Sequence, residues 1–193
     1  KFEWETDDYR RTIFFSTDHD VQFYIELEGG GKAEFNRLIK EKHYYPFQWK
    51  VRFYKEFETA ETDVYFTPIG IPFGFQEKFP ETYFLPSLSP DSARIIAETG
   101  STENWNIDLK KFELIEEKKN QVASGRIDHT FIYKKNDFSY GEAEYRISLT
   151  VSGNRFSGLL QNLKLPEAFY RRYKEMRSAN ETIATTATIS IAV

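Results

Sequence analysis

Residues 143–151 read Ala-Glu-Tyr-Arg-Ile-Ser-Leu-Thr-Val, with an apolar side chain at every odd position and a polar one between. Side chains of a β-strand point alternately to its two faces, so this period of two describes a strand with one buried face. Just upstream, Ile127, His129, Phe131 and Tyr133 keep the same alternation. Such one-sided strands are the habit of antiparallel sheets, whose second face meets water. The predicted centre of the fold is therefore an antiparallel sheet built around these two strands.

Working outward, two stretches share one order of elements. In the first, a helix over residues 33–42, with Phe35, Leu38 and Ile39 on one face, precedes an alternating strand with Trp49, Val51 and Phe53 on one side. Residues 64–66, a turn at 68–70 and Phe73-Gly-Phe75 follow, leading to Pro80-Glu81. In the second, Ser89-Pro90-Asp91 is a strong helix start: a capping Ser, a Pro at the first helical position and an acid at the positive end of the dipole. This helix shows Ala93, Ile96 and Ala97 and is predicted to stop at Gly100. Trp105, Ile107 and Leu109 then read as a strand matching Trp49, with a bulge or turn near Lys110 because Phe112 and Leu114 fall out of phase. After the central hairpin, Gly153 to Pro166-Glu167 mirrors Gly70 to Pro80-Glu81.

The predicted fold class is α+β, in two tandem helix-plus-antiparallel-sheet units of a duplicated, cystatin- or PepSY-like kind. The units span residues 1–85 and 86–167, and 168–193 form an amphipathic juxtamembrane helix and the start of a transmembrane segment. A single α+β domain in which Pro-Glu recurs by chance is the alternative. The N-terminal part is ambiguous: Ile13 and Phe15 suggest a strand. Residues 16–20 can cap a helix, yet Val21, Phe23, Ile25 and Leu27 alternate as a strand would, and Gly29-Gly-Gly31 ends the element either way.

Composition narrows the function classes. The 193 residues suffice for a sizeable core, and an aromatic content of 17% excludes disorder and favours β-structure. A formal net charge of −4 argues against nucleic acid as a partner. With no Cys, the chain has no disulfide, thiolate nucleophile or Cys-based zinc site. It starts at Lys1 without an apolar signal segment, which reads as a chain trimmed of any N-terminal signal or anchor.

Motifs for catalysis are sparse. The three histidines, His19, His43 and His129, lack the i, i+3 or i, i+4 partner of a helical metal site, and His129 sits on the apolar phase of a strand. There is no nucleophile elbow and no phosphate-binding glycine loop; Gly29-Gly-Gly31 lacks a following Lys, and Asn180-Glu-Thr182 is a glycosylation sequon of low specificity. Arg126, Asp128 and Thr130 share one strand face, so Arg126 and Asp128 are expected to pair with Glu142, Glu144 or Arg146 across the hairpin. Arg126, Asp128, Glu142 and Arg146 are the candidate contacts for a substrate or partner on the open sheet face. The chain's end gives a second candidate surface, with Phe169, Tyr173 and Met176 at helical spacing among Arg171, Arg172, Lys174 and Arg177. These four cations are the candidate membrane-surface contacts. Residues 183–193 carry no charge, and read as an edge strand or as the first half of a span that needs about 20 apolar residues.

Several of these stretches resemble a known region. Residues 125–131 (Gly-Arg-Ile-Asp-His-Thr-Phe), 141–146 (Gly-Glu-Ala-Glu-Tyr-Arg), 151–153 (Val-Ser-Gly), 166–173 (Pro-Glu-Ala-Phe-Tyr-Arg-Arg-Tyr) and 177–180 (Arg-Ser-Ala-Asn) are similar to the region preceding the membrane core of some bacterial CPBP-type, CAAX-protease-like intramembrane metalloproteases. The resemblance covers most of the chain and is strongest from Leu88 to Asn180. It implies a parent enzyme whose transmembrane Glu and His residues bind a divalent metal, zinc by family resemblance, and activate water for peptide hydrolysis. No catalytic residue carries over: Glu116-Glu117 lacks the following Arg of the family's double-Glu motif, Phe15…His19 lies in a charged stretch, and no His has the third spacing. The implied role is a soluble accessory domain that binds or orients protein substrates at the membrane surface, without metal, cofactor or catalysis of its own. Its implied partners are the lipid surface, the protein's own transmembrane core and protein or peptide substrates. The expected location is the cell membrane, with the domain on the extracytoplasmic side. A free-standing extracytoplasmic peptide- or lipid-binding module and a soluble enzyme built around Asp128, His129 and Glu142 are the alternatives.

Overall fold

The computed structural model of the chain describes residues 9–138 and 140–176. In chain order the elements are β1 (Arg10–Thr17), α1 (His19–Leu27), α2 (Lys32–Lys40), β2 (Phe47–Tyr54), β3 (Glu61–Phe66), β4 (Pro72–Lys78) and α3 (Pro90–Trp105). A 3-10 turn (Leu109–Lys111) then leads into β5 (Phe112–Gln121), β6 (Ile127–Lys135), β7 (Glu144–Ser152) and β8 (Arg155–Lys164). Residues 167–176 are helical. The eight strands form one sheet in the order β1-β2-β3-β4-β8-β7-β6-β5, and every neighbouring pair is antiparallel. The fold is α+β, as the alternation of β6 and β7 implies.

Two four-stranded meanders meet through their last strands, β4 and β8, at Phe75↔Leu159 and Gln76↔Gly158. The approach there is close: a Cβ on Gly74 would lie 2.8 Å from the Leu159 carbonyl oxygen. The helices are placed differently in the two halves, since α3 precedes its meander whereas α1 and α2 lie between β1 and β2.

One row of paired residues crosses the whole sheet: Ile13, Val51, Val64, Phe75, Leu159, Leu149, Phe131 and Glu117. Directly opposed residues share a face. This is the face that α3 covers over β6, β7 and β8. Phe75, Leu159, Leu149 and Phe131 are buried along it, whereas Ile13 at the β1 end is 58% exposed. The helical layer thus protects the middle of the sheet and leaves the β1 flank open. One core cluster runs from Val21 to Phe169, across both of the expected unit boundaries.

One open choice is decided and two local expectations are corrected. Residues 19–27 are helical, because the Asp18 carboxylate caps the Val21 N–H at 3.2 Å and the buried set is Val21, Tyr24 and Ile25. The alternation of Phe23 and Leu27 misleads, as both side chains stay partly in water. Next, α3 does start with a Ser89 cap and Pro90, but it passes Gly100 and ends at Trp105, with Asn106 in the left-handed conformation at φ 55°. Gly100 serves packing instead: a Cβ there would come within 2.6 Å of the Phe156 ring on β8. Trp105 is therefore a helix-end residue stacked on Phe75 at 5.0 Å, not a strand residue matching Trp49. The turn expected near Lys110 is the 3-10 turn, and β5 begins after it.

The helical stretch 167–176 packs onto the fold. Phe169 is 1% exposed, meets Tyr24 of α1 edge-to-face at 5.1 Å and stacks on Tyr173 at 5.6 Å. Tyr173 in turn stacks on Phe23 at 5.4 Å. An i, i+4 aromatic pair on one helical face explains the docking. Residues 183–193, read above as a strand or a severed span, lie outside the described residues.

Candidate functional site

The four residues expected to form a contact patch are split between two places. Arg126 is 3% exposed. Its Nε and Nη2 bond the two Asp128 carboxylate oxygens at 2.8 and 3.1 Å, and its Nη1 donates to the Pro80 and Tyr83 carbonyls at 3.1 and 3.0 Å. The Phe79 ring has the Arg126 guanidinium 5.7 Å and the Arg155 guanidinium 5.5 Å from its centroid, and stacks on Tyr83 at 5.5 Å. Further bonds fix the same segment: Ser124 N–H to the Glu81 carbonyl, Ile127 N–H to the Ser87 hydroxyl, and His129 Nε2–H to the Leu88 carbonyl. Arg126 and Asp128 therefore clasp the crossover 79–88, which carries the chain from β4 to α3. They are not on an open face, because a guanidinium with five donors finds here a carboxylate and two carbonyls that would otherwise be orphaned.

Arg146 pairs in register with Lys134, six residues along β6 from Asp128 and so roughly 20 Å away at about 3.3 Å per residue. It bonds Glu144, as does Lys134, and hydrogen bonds from Lys134 and Arg146 hold the Glu144 carboxyl below its ordinary range. With the Thr130–Thr150 hydroxyl contact at 3.4 Å, this is a polar ladder on the water-facing side. Glu142 is exposed in the turn before β7, and its N–H donates to the Tyr24 hydroxyl at 2.7 Å. Of the cations at the chain's end, Arg171 and Lys174 are exposed, whereas Arg172 is paired with Glu28, just past α1, at 2.6 Å. Arg177 lies outside the described residues.

His129 is 2% exposed and stacks on Phe131, and neither described cavity is lined by it. The soluble-enzyme alternative loses its base on that geometry. Among the described residues, no group of three or more His, Asp or Glu is placed to hold a metal ion. No helix among them is long and apolar enough to cross a membrane.

Sequence reading missed a buried carboxylate at the foot of β4. Glu77 lines a cavity of about 140 Å³ with Thr62, Phe79 and Arg155. Arg155 Nη2 bonds its Oε1 at 2.8 Å, while the buried Oε2 has no hydrogen-bond partner among the described residues. Burial pushes the Glu77 carboxyl up, and Arg155, itself half in water, offsets only part of that. The folded chain then holds a proton on Glu77 at pH values where the unfolded chain has released it. Stability from this group is present at low pH and lost as pH rises from the ordinary value of about 4.3 through the raised folded value. In urea denaturation, Glu77→Gln is expected to gain on the parent chain as pH rises above about 4.3, until the folded carboxyl has ionised. A gap that narrows with rising pH contradicts the raised carboxyl.

The least protected surface is the edge strand β1, which no other strand pairs on its outer side among the described residues. Its sequence, Arg-Arg-Thr-Ile-Phe-Phe-Ser-Thr, is charged only at the start. Ile13, Phe14 and Phe15 are 58%, 46% and 51% exposed. Phe15 meets the exposed Trp49 edge-to-face at 4.7 Å, which extends the apolar strip onto β2. The opposite edge, β5, carries Glu113, Glu116, Glu117, Lys118 and Lys119, and α3 braces it through Arg94 and Glu117 at 3.3 Å. Charge on an edge strand is the usual device against pairing with another chain. The β5 edge has it along most of its length, whereas β1 has it only at Arg10 and Arg11.

Comparison with protein-family models, with curated proteins and with solved structures finds no match for this chain.

Proposed function

We propose that this chain is a binding module that accepts an extended segment of a protein on the outer edge of β1, with no chemistry of its own. The observation that carries this reading is the contrast between the two edges: β5 is charged, and β1 exposes Ile13, Phe14 and Phe15 beside a backbone that no other strand pairs among the described residues. Strand addition uses that combination, with main-chain hydrogen bonds for affinity and alternate side chains for selectivity. It is the activity expected of an accessory domain that presents protein substrates to a membrane-embedded metalloprotease on the extracytoplasmic side. That wider setting rests on the resemblance of residues 125–131, 141–146 and 166–173, with Arg171 and Lys174 free to face lipid headgroups. In the same reading the two meanders are tandem versions of one unit, supported by their pairing through equivalent last strands. A free-standing peptide-binding module would use the same edge.

The test is to pan a random dodecapeptide phage library on the immobilised chain at nanomolar density, beside the variant Ile13→Lys/Phe15→Lys, which gives β1 the charge that β5 has. Enriched peptides are expected to alternate apolar and polar residues and to lose at least tenfold in binding to the variant. Enrichment that is equal on both chains, or absent, overturns the reading.

A further inference from the structure

We infer that the extended segment β1 accepts is β1 of a second copy, in a twofold arrangement centred on Phe14. This rests on the strand-binding reading of that edge and names its partner. An antiparallel pair about a twofold axis normal to the sheet must oppose residues that share a face. With Phe14 opposite the partner's Phe14, the apolar side chains match on both faces: Ile13 meets the partner's Phe15 on the helix-covered side, and the two Phe14 rings meet on the other. Thr12 then lies opposite the partner's Ser16, and Arg11 opposite the partner's Thr17. Arg10 falls opposite the partner's Asp18, just past the strand. The sequence 10–18 thus puts its two cations against hydroxyls and a carboxylate, and no like charges oppose.

The same logic disfavours β5 as a self-pairing edge. Its run Glu116-Glu117-Lys118-Lys119 is not followed by apolar residues, and its exposed side chains are charged over most of its length. The apolar strip on β1 also continues onto Trp49 of β2, so a second copy would cover side chains that the helices leave in water. Joined through β1, two copies form one continuous sheet in which both unprotected edges are consumed and both charged β5 edges stay outermost.

A chain without cysteine makes the register directly testable. Thr12→Cys and Ser16→Cys are prepared singly, and sedimentation equilibrium is run from 1 to 200 µM on the parent chain and on Ile13→Lys/Phe15→Lys. The parent is expected to approach twice the monomer mass with rising concentration, while the charged variant stays monomeric. Oxidation of the two cysteine variants mixed is expected to give at least five times the disulfide-linked dimer that either gives alone, because the register opposes residue 12 to residue 16 and not to itself. A parent chain that remains monomeric at 200 µM overturns the inference, as does equal crosslinking of the single variants and the mixture. A monomer that still selects alternating peptides on β1 overturns only the second-copy assignment, and failure of both experiments removes the strand-binding edge as well.

Discussion

Replacing Arg126 with alanine is expected to lower folding stability by about 3 kcal/mol, at the lower end of the range for removing one partner of a buried ion pair. Asp128 keeps some water, with 18% of its side chain exposed, which is why the lower end applies. The loss has three parts: Asp128 without its cation, the Pro80 and Tyr83 carbonyls without their donor, and the Phe79 ring without one of its two guanidinium neighbours. For a chain of this size that corresponds to a fall in Tm of about 6–12 °C. Arg126→Lys keeps the charge but has no planar fork, so it is expected to recover only part of the loss. Thermal denaturation of the three chains side by side checks both statements. A change below about 1 kcal/mol for the alanine variant would mean that crossover 79–88 is held by its other bonds.

Phe169→Ala is expected to cost about 3–5 kcal/mol, the usual range for truncating a fully buried aromatic residue. Phe169 fills the space between Tyr24 and Tyr173, so its removal leaves a cavity beneath the helical stretch 167–176. Arg171→Ala two residues on is expected to change stability by no more than about 0.5 kcal/mol, since its side chain is exposed. Urea denaturation separates the two. Equal, small effects would show that residues 167–176 contribute little to the fold and only trail from β8.

The sheet was legible where local pattern and tertiary burial agree. In β7 the apolar positions run without a break and in β6 only His129 interrupts them, and both strands are paired on both sides beneath α3. The start of α3 was legible because Ser89, Pro90 and Asp91 act locally on the first helical turn. Its end was not, because Gly100 is kept small by a side chain on β8 that lies 56 positions away in sequence. In α1 the Asp18 cap and the burial of Tyr24, out of phase with the alternation, decided for a helix. The burial of Arg126 was hidden for the same physical reason as the packing role of Gly100: its partners at Pro80 and Tyr83 come from a distant crossover. Charge within a strand signals either a wet face or a buried fork, and only tertiary structure distinguishes them. The open β1 edge was equally hidden, since Ile13 and Phe15 carry the same pattern as the buried strands. What sets them apart is that the helical layer stops short of them.

The most direct measurement on the strand-binding edge uses amide chemical shifts of the ¹⁵N-labelled chain, taken during titration with the strongest peptide from the phage selection. Shifts are expected on residues 11–17, weaker ones on β2 through its pairing with β1, and none on β5 or on the Arg126 clasp. Shifts centred on the Glu77 cavity or on the ladder of Glu144 and Arg146, with β1 unmoved, would contradict β1 as the binding surface.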